Sequence, residues 1–215
     1  MRTYVELMIF DFDGTLVQTG EDIANSVNFT LHTLNLPAID KQQILTFIGD
    51  GVVKLIERAI GDVEESYRDQ AMAIFTDHYD RHMLDHAELY PGAYDMLRYF
   101  AGKRKIILTN KRFKFTEKMA SELKISSFFE EIIGADTTPY FKPNPQLVES
   151  ILKRFPVDKK STVIIGDGVN DILLAKNAGI ISCAFMNGLG MRDELLALKP
   201  DIVFERFEEL KDLLI

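Results

Sequence analysis

The sequence predicts an α/β protein, an open parallel sheet interrupted by a helical insert. Three observations carry that prediction. Short apolar runs recur along the chain, each followed by turn residues and a segment of helical period, the pattern of parallel strands joined by crossover helices. Between the first run and the second, residues 17–86 show helical patterns only. Polar clusters fall where the runs end, and an open α/β sheet binds ligands outside the carboxyl ends of its strands.

The first strand is expected over residues 5–10 (VELMIF), running into Asp11-Phe12-Asp13-Gly14-Thr15-Leu16. The insert follows with EDIANSVNFTLHTLNL, KQQILTFI, VVKLIERAI and ESYRDQAMAIFTDHYDRHML. A crossover needs one helix, so this length implies a separate unit hinged at both ends: residues 1–16 and 87–215 form the core, residues 17–86 a cap. The four histidines all lie in it, and His78, His82 and His86, at i, i+4 and i+8, are expected on one solvated helix face. The second strand, residues 105–108 (KIIL), ends at Thr109-Asn110. Lys142 stands in the loop YFKPNP, before a helix that Asn144 caps and Pro145 opens. The third strand, residues 162–165 (TVII), ends at Gly166-Asp167-Gly168, with Asp171 one turn later in a helix running from about Asn170 to Gly179. The last, residues 180–185 (IISCAF), holds the single cysteine, Cys183, read as a buried thiol with no redox or zinc role.

Composition narrows the partners. A net charge of -8, with 25 Lys and Arg against 33 Asp and Glu, leaves no extended basic face for nucleic acid. No apolar run approaches the ~18 residues that span a bilayer. The opening MRTYVELMIF carries a glutamate within its apolar stretch and no cleavage pattern, so a cytoplasmic protein is expected. Monomer and homodimer both remain open.

The strand-end clusters form one chemistry. Asp11 and Asp13, at i and i+2 where a strand ends, reach one reaction centre because the chain curls into a turn that Gly14 permits. Asp11, Asp167 and Asp171 together concentrate more negative charge than stays ionised without a cation, and oxygen ligands with no His or Cys select Mg²⁺. Lys142 adds positive charge, while Thr109, Asn110 and backbone N–H groups of the glycine turns offer hydrogen bonds to phosphoryl oxygens. The expected ligand is a small phosphate ester.

DFDGT, the TN after the second strand, the KPNP lysine and GDGVND resemble, in order and position, the four signature motifs of the haloacid dehalogenase-like superfamily. The resemblance covers nearly the whole chain, and FIGDGVVKLIERAI, YPGAYDMLRYF, TNK and KPNPQL look most like its phosphoglycolate phosphatases. It implies a Rossmann-like core, a helical cap of the family's first type, and hydrolysis through an aspartyl phosphate. Asp11 would then be the nucleophile and Asp13 the general acid and base. Mg²⁺ would lie on Asp11, the Asp13 carbonyl and Asp167, with Asp171 orienting a water or Lys142. Thr109, Asn110 and Lys142 would hold the phosphoryl group. Relatives often read DGTLVDS where this chain has Gln18 and Thr19, and they carry a neutral or basic residue at Asp50. A substrate's second anionic group is expected at Gly49, Gly51 and Lys54, where glycine N–H groups open a helix, provided Asp50 points away or pairs with a cation, Lys54 or Arg58, one and two turns onward.

Other readings separate on single features. Mutases of the β-phosphoglucomutase type tend to carry glutamate before the metal-binding aspartate, where this chain has Gly166. Dehalogenases lack the second aspartate, present here as Asp13. A phospho-receiver signalling domain carries its aspartate on a middle strand and needs no helical insert. A binding protein on a decayed core would have lost Asp11, Asp13 or Lys142.

Overall fold

The structure, a computed structural model, describes residues 2–215. In chain order the elements begin with β1 (Leu7–Phe10) and β2 (Val17–Gln18), then α1 (Gly20–Thr33), α2 (Lys41–Leu45), α3 (Val52–Ile60) and α4 (Glu65–His82). After β3 (Glu88–Leu89) come α5 (Ala93–Tyr99), β4 (Arg104–Leu108), α6 (Phe113–Glu122), β5 (Glu131–Ile133) and α7 (Gln146–Arg154). The chain ends with β6 (Thr162–Gly166), α8 (Val169–Ala178), β7 (Ile181–Phe185), α9 (Arg192–Ala197), β8 (Ile202–Phe204) and α10 (Leu210–Leu213).

Six strands form one sheet in the order β5-β4-β1-β6-β7-β8, each paired parallel to its neighbour. The central strands are buried on both faces, which explains why they read as continuous apolar runs. Alternation divides them: Met8, Phe10, Ile107 and Ile165 pack on the side of α5 and α6, while Leu7, Ile9, Ile106 and Ile164 pack on α7 and α8. From β1 the chain builds outward to β5, then crosses back to β6. The order therefore reverses at β1, which opens a crevice at the carboxyl ends of β4, β1 and β6.

All four expected strands are present within two residues of their expected bounds. The first starts at Leu7, because the chain ahead of it pairs elsewhere: Val5 N–H donates to the Ile215 carbonyl and Glu6 N–H to that of Ser161. The edge strands β5 and β8, three residues each, are too short for the apolar-run signal. Asn144 caps as expected, accepting from Gln146 N–H at 2.9 Å, although the helix starts one residue later. Gly179 ends α8 at a φ of 71°. Cys183 is buried, and burial raises its thiol pKa.

Between β2 and β3 the described chain is helical or irregular. Ile23, Ala24, Val27 and Leu31 of α1 face Ala71, Phe75 and Tyr79 of α4, with Leu55 and Ile56 of α3 alongside. These spacings follow the helical repeat. Val17–Gln18 pairs antiparallel with Glu88–Leu89, so the segment leaves and returns through one two-stranded ribbon, across which Gln18 Nε2 donates to Glu88 Oε1 at 3.2 Å. Asp22, buried at the start of α1, accepts from His86 N–H, His86 Nδ1 and Ala87 N–H at 2.7–3.1 Å. The expected histidine row is corrected here: α4 stops at His82, where His78 stacks on His82 and Phe29, while His86 belongs to the return segment. No helix among the described residues is long and apolar enough to cross a membrane.

Candidate active site

Register brings the site together. Phe10 pairs with Ile107 on one side and Ile165 on the other, so Asp11, Thr109 and Asp167 emerge at one sheet edge. Asp11 N–H still donates to the Ile165 carbonyl at 2.9 Å, which anchors the first aspartate to β6 before the turn begins. Gly14 has a φ of 80°, and a Cβ there would lie 2.3 Å from Asp167 Oδ2, so only glycine allows the β1 turn to close over the β6 carboxylate.

Lys142 is the hub of the charged side. Its ammonium sits 2.8 Å from Asp11 Oδ1 and 2.7 Å from Asp171 Oδ1. Phe12 N–H donates to the same Asp11 oxygen at 2.7 Å. Burial opposes the lysine's charge, but the two carboxylates outweigh it and hold its pKa above the ordinary lysine range. Asp171 is pushed up by burial against the pull of Lys142, with Asp11 adding to the rise. Its Oδ2 accepts from Gly168 N–H at 3.0 Å, capping α8. Burial, then the charge of Asp11, raises Asp167 to about 6, although Thr15 Oγ1 donates to it at 2.6 Å and Leu189 and Gly190 N–H at 2.7 and 3.2 Å.

These three aspartates each offer an oxygen, all within 4.8 Å of one another. Lys142 is the one cation in direct contact with this group, pairing with Asp11 and Asp171 but not with Asp167. An oxygen-only donor set of that charge fits a hard divalent cation of the Mg²⁺ type.

On the other side, Asp13 meets a cation with no assigned role in the sequence reading. Lys111 Nζ lies 2.9 and 3.2 Å from the two Asp13 oxygens and 2.6 Å from the Tyr79 hydroxyl on α4. Its place directly after Thr109-Asn110 at a strand end was the signal available. Thr15 stood within the first motif, whereas the Leu189 and Gly190 contacts use backbone N–H groups, and their one sequence trace is the glycine at 188 and 190, where a Cβ would lie within 2.4 Å of Asp167. Two chambers meet at Asp11 and Asp13. The smaller, about 70 Å³, lies beneath the insert among Phe75, Tyr79, Lys111 and Thr109. The larger, about 480 Å³, holds Lys142, Asp167 and Asp171.

The structure thus gathers Asp11, Asp13, Thr109, Asn110, Lys142, Asp167, Asp171, Gly49 and Gly51 around one cleft. Two expectations need correction. Lys54 faces outward, its ammonium 2.8 Å from Glu57, and it lines neither chamber because its position on α3 points to solvent. Asn110 spends its side chain on positioning: Oδ1 accepts from Lys142 N–H at 2.9 Å, while Nδ2 donates to the Lys142 and Gly49 carbonyls at 3.2 and 3.0 Å. An amide has two N–H donors, so none is left for a phosphoryl oxygen. Gly49 presents its carbonyl, not its N–H, to Asn110 and Asn170. Asp50 pairs with Arg58 and, at 2.7 Å, with Asn170; burial opposes its charge, but these partners outweigh it and lower its pKa.

A reversing parallel sheet with a buried lysine and strand-end aspartates defines a Rossmann-like α/β protein with a charged site at the carboxyl edge of its sheet. Residues 8–185 match the haloacid dehalogenase-like hydrolases, and the chain belongs to that family. It is 35% identical over 214 residues to a phosphoglycolate phosphatase of Colwellia psychrerythraea, covering 95% of each chain. To that of Vibrio parahaemolyticus it is 31% identical over 217 residues, covering 96% of this chain and 94% of the other. A crystal structure of a predicted phosphoglycolate phosphatase from Haemophilus somnus 129PT superposes with a TM-score of 0.92 at 27% identity, covering 97% of both chains.

Proposed function

We propose that this protein is a Mg²⁺-dependent phosphatase of small phosphate monoesters, with 2-phosphoglycolate the favoured substrate. The observation that carries the reading is the Asp11 carboxylate held at one oxygen by Lys142 and the Phe12 N–H, at a sheet edge shared with Asp13 and Thr109. Asp11 Oδ2 has no hydrogen-bond partner among the described residues and is the oxygen that attacks phosphorus. The phosphorus–ester oxygen bond breaks as the acyl phosphate forms, and Asp13 gives its proton to the departing oxygen. Water then attacks phosphorus, Asp13 takes a proton from it, and phosphate leaves while the Asp11 carboxylate is restored. Lys142 and the Thr109 hydroxyl hold the phosphoryl oxygens, and Asn110 fixes the backbone of Lys142. Asp11, the Asp13 carbonyl and Asp167 would hold Mg²⁺, which supplies neutralising charge to the phosphoryl group; Asp171 keeps Lys142 in place. Residues 17–86 act as a cap hinged at 16–20 and 86–91, excluding water when closed.

The phosphoglycolate relatives favour a short phosphorylated carboxylate. The test is phosphate release from a panel of small phosphorylated metabolites with Mg²⁺, with chelator, and with Ca²⁺. Activity is expected with Mg²⁺ alone, since Ca²⁺ favours higher coordination and draws both Asp11 oxygens onto itself. Full activity after chelation would contradict the metal assignment, and no release from any ester would contradict the phosphatase reading.

A further inference from the structure

Resting on the phosphatase reading, we infer that Lys111 binds the substrate's own carboxylate and that the small chamber beneath the insert receives the leaving group. The Lys111 side chain is 7% exposed, yet its ammonium stands where core and insert meet, between Asp13 and Tyr79. Burial opposes its charge, but Asp13 and Tyr79 outweigh it and raise its pKa. It lies 4.6 Å from the Tyr79 ring centroid, so the aromatic face also holds the charge in place.

Donor counting gives the ammonium its task. Its three N–H donors meet the two Asp13 oxygens and the Tyr79 hydroxyl, and none is spare. For Asp13 to reach the ester oxygen, one of its oxygens turns away from Lys111. That frees an N–H at the wall of a chamber whose far lining, Ile23, Val52, Leu55, Phe75 and Phe115, offers no acceptor side chain, the oxygens of Asp11 and Thr109 lying on the side of the reaction centre. A substrate carboxylate is the acceptor that restores the set and matches the charge.

Size agrees. A water-sized group needs roughly 10–15 Å³, so the 70 Å³ chamber takes about five to seven non-hydrogen atoms. The leaving group of 2-phosphoglycolate, two carbons and three oxygens, fits that space, whereas a hexose does not. In the Gly49–Gly51 loop the Gly49 carbonyl and the Asp50 side chain are taken by Asn110, Asn170 and Arg58, and its only charged side chain is an acid, so Lys111 is the cation better placed for a carboxylate.

The experiment compares kcat/KM for 2-phosphoglycolate with that for 2-hydroxyethyl phosphate, similar in size but uncharged at the far end. Wild type, Lys111→Gln, Lys111→Arg and Arg112→Gln are measured with Mg²⁺, each checked by circular dichroism. Glutamine retains N–H donors for Asp13 and Tyr79 while removing the charge, so it preserves the fold better than an apolar residue. Wild type is expected to prefer the carboxylate, Lys111→Gln to lose roughly 10- to 100-fold of that preference, mainly through KM, and Lys111→Arg to keep most of it. Equal losses on both esters would overturn the inference, since Lys111 would then act only through Asp13. So would loss of preference in Arg112→Gln alone, Arg112 lining the same chamber. A wild type that hydrolyses both esters alike also overturns it while the phosphatase reading stands; release from neither ester is failure of that reading itself.

Discussion

Replacing Asp167 by Asn is expected to make the metal-free protein more stable and the enzyme inactive. Asparagine keeps the shape: its carbonyl oxygen accepts from the Leu189 and Gly190 N–H groups, and its NH₂ donates to Thr15 Oγ1. Only the ionisable charge is lost. In the native protein the Asp167 pKa stands at about 6 against an ordinary 3.8, through burial first and Asp11 second. A raised carboxyl pKa means that the native state holds the proton longer. Native stability is therefore lost as pH rises from the unfolded value to the folded one, and the loss is complete above about pH 6. At 1.36 kcal/mol per pKa unit, the two-unit gap amounts to ~3 kcal/mol. For a chain of this size that is a rise of roughly 6–12 °C in Tm. Urea unfolding in chelator should show Asp167→Asn more stable at pH 7.5 and level with wild type near pH 4. Mg²⁺ should raise the wild-type Tm and leave the variant unmoved. A variant less stable than wild type at pH 7.5 in chelator, or a difference independent of pH, would refute the reasoning.

Asp13→Asn is expected to slow esters with poor leaving groups by roughly 10²–10⁴-fold and p-nitrophenyl phosphate by far less, because that leaving group needs little protonation. Equal losses across a leaving-group series would remove the general-acid role. Asp22→Ala strips the partners from the His86 and Ala87 N–H groups at the return of the ribbon, and should cost about 2–4 kcal/mol by urea unfolding. His86 also titrates there: its hydrogen bond to Asp22 raises its pKa, so its contribution is full below about pH 6.5 and is lost as pH rises through the folded value. Wild type should show that loss as pH rises above about 6.5 and Asp22→Ala should not; identical pH profiles would dissociate His86 from the ribbon.

Much of this arrangement was legible because its signals are local. The central strands read as apolar runs since both faces of a parallel sheet are covered, and Asp11, Thr109, Lys142 and Asp167 were found by their places at strand ends or in the loop between them. The edge strands were hidden by their length. Position 50 shows a different difficulty: Arg58, two helical turns on, was legible as a cation for the acid, but Asn170 at the start of α8 comes to it only in the folded chain. Lys54 failed for a simpler reason, because three residues along a helix surface lies Glu57, and that local pair takes the ammonium outward. Lys111 closes the TNK segment beside Thr109-Asn110, but its place in the site depends on Tyr79, thirty-two residues earlier on α4, a contact that no local pattern announces.

The most direct test of the account is to mix enzyme, Mg²⁺ and labelled 2-phosphoglycolate, quench in acid within a turnover, and locate the trapped acyl phosphate by peptide mass spectrometry. The account predicts label on the peptide bearing Asp11, none in Asp11→Asn, and unchanged circular dichroism in that variant. Steady phosphate release without label on Asp11, or an Asp11→Asn variant keeping more than about a tenth of wild-type kcat, would contradict it.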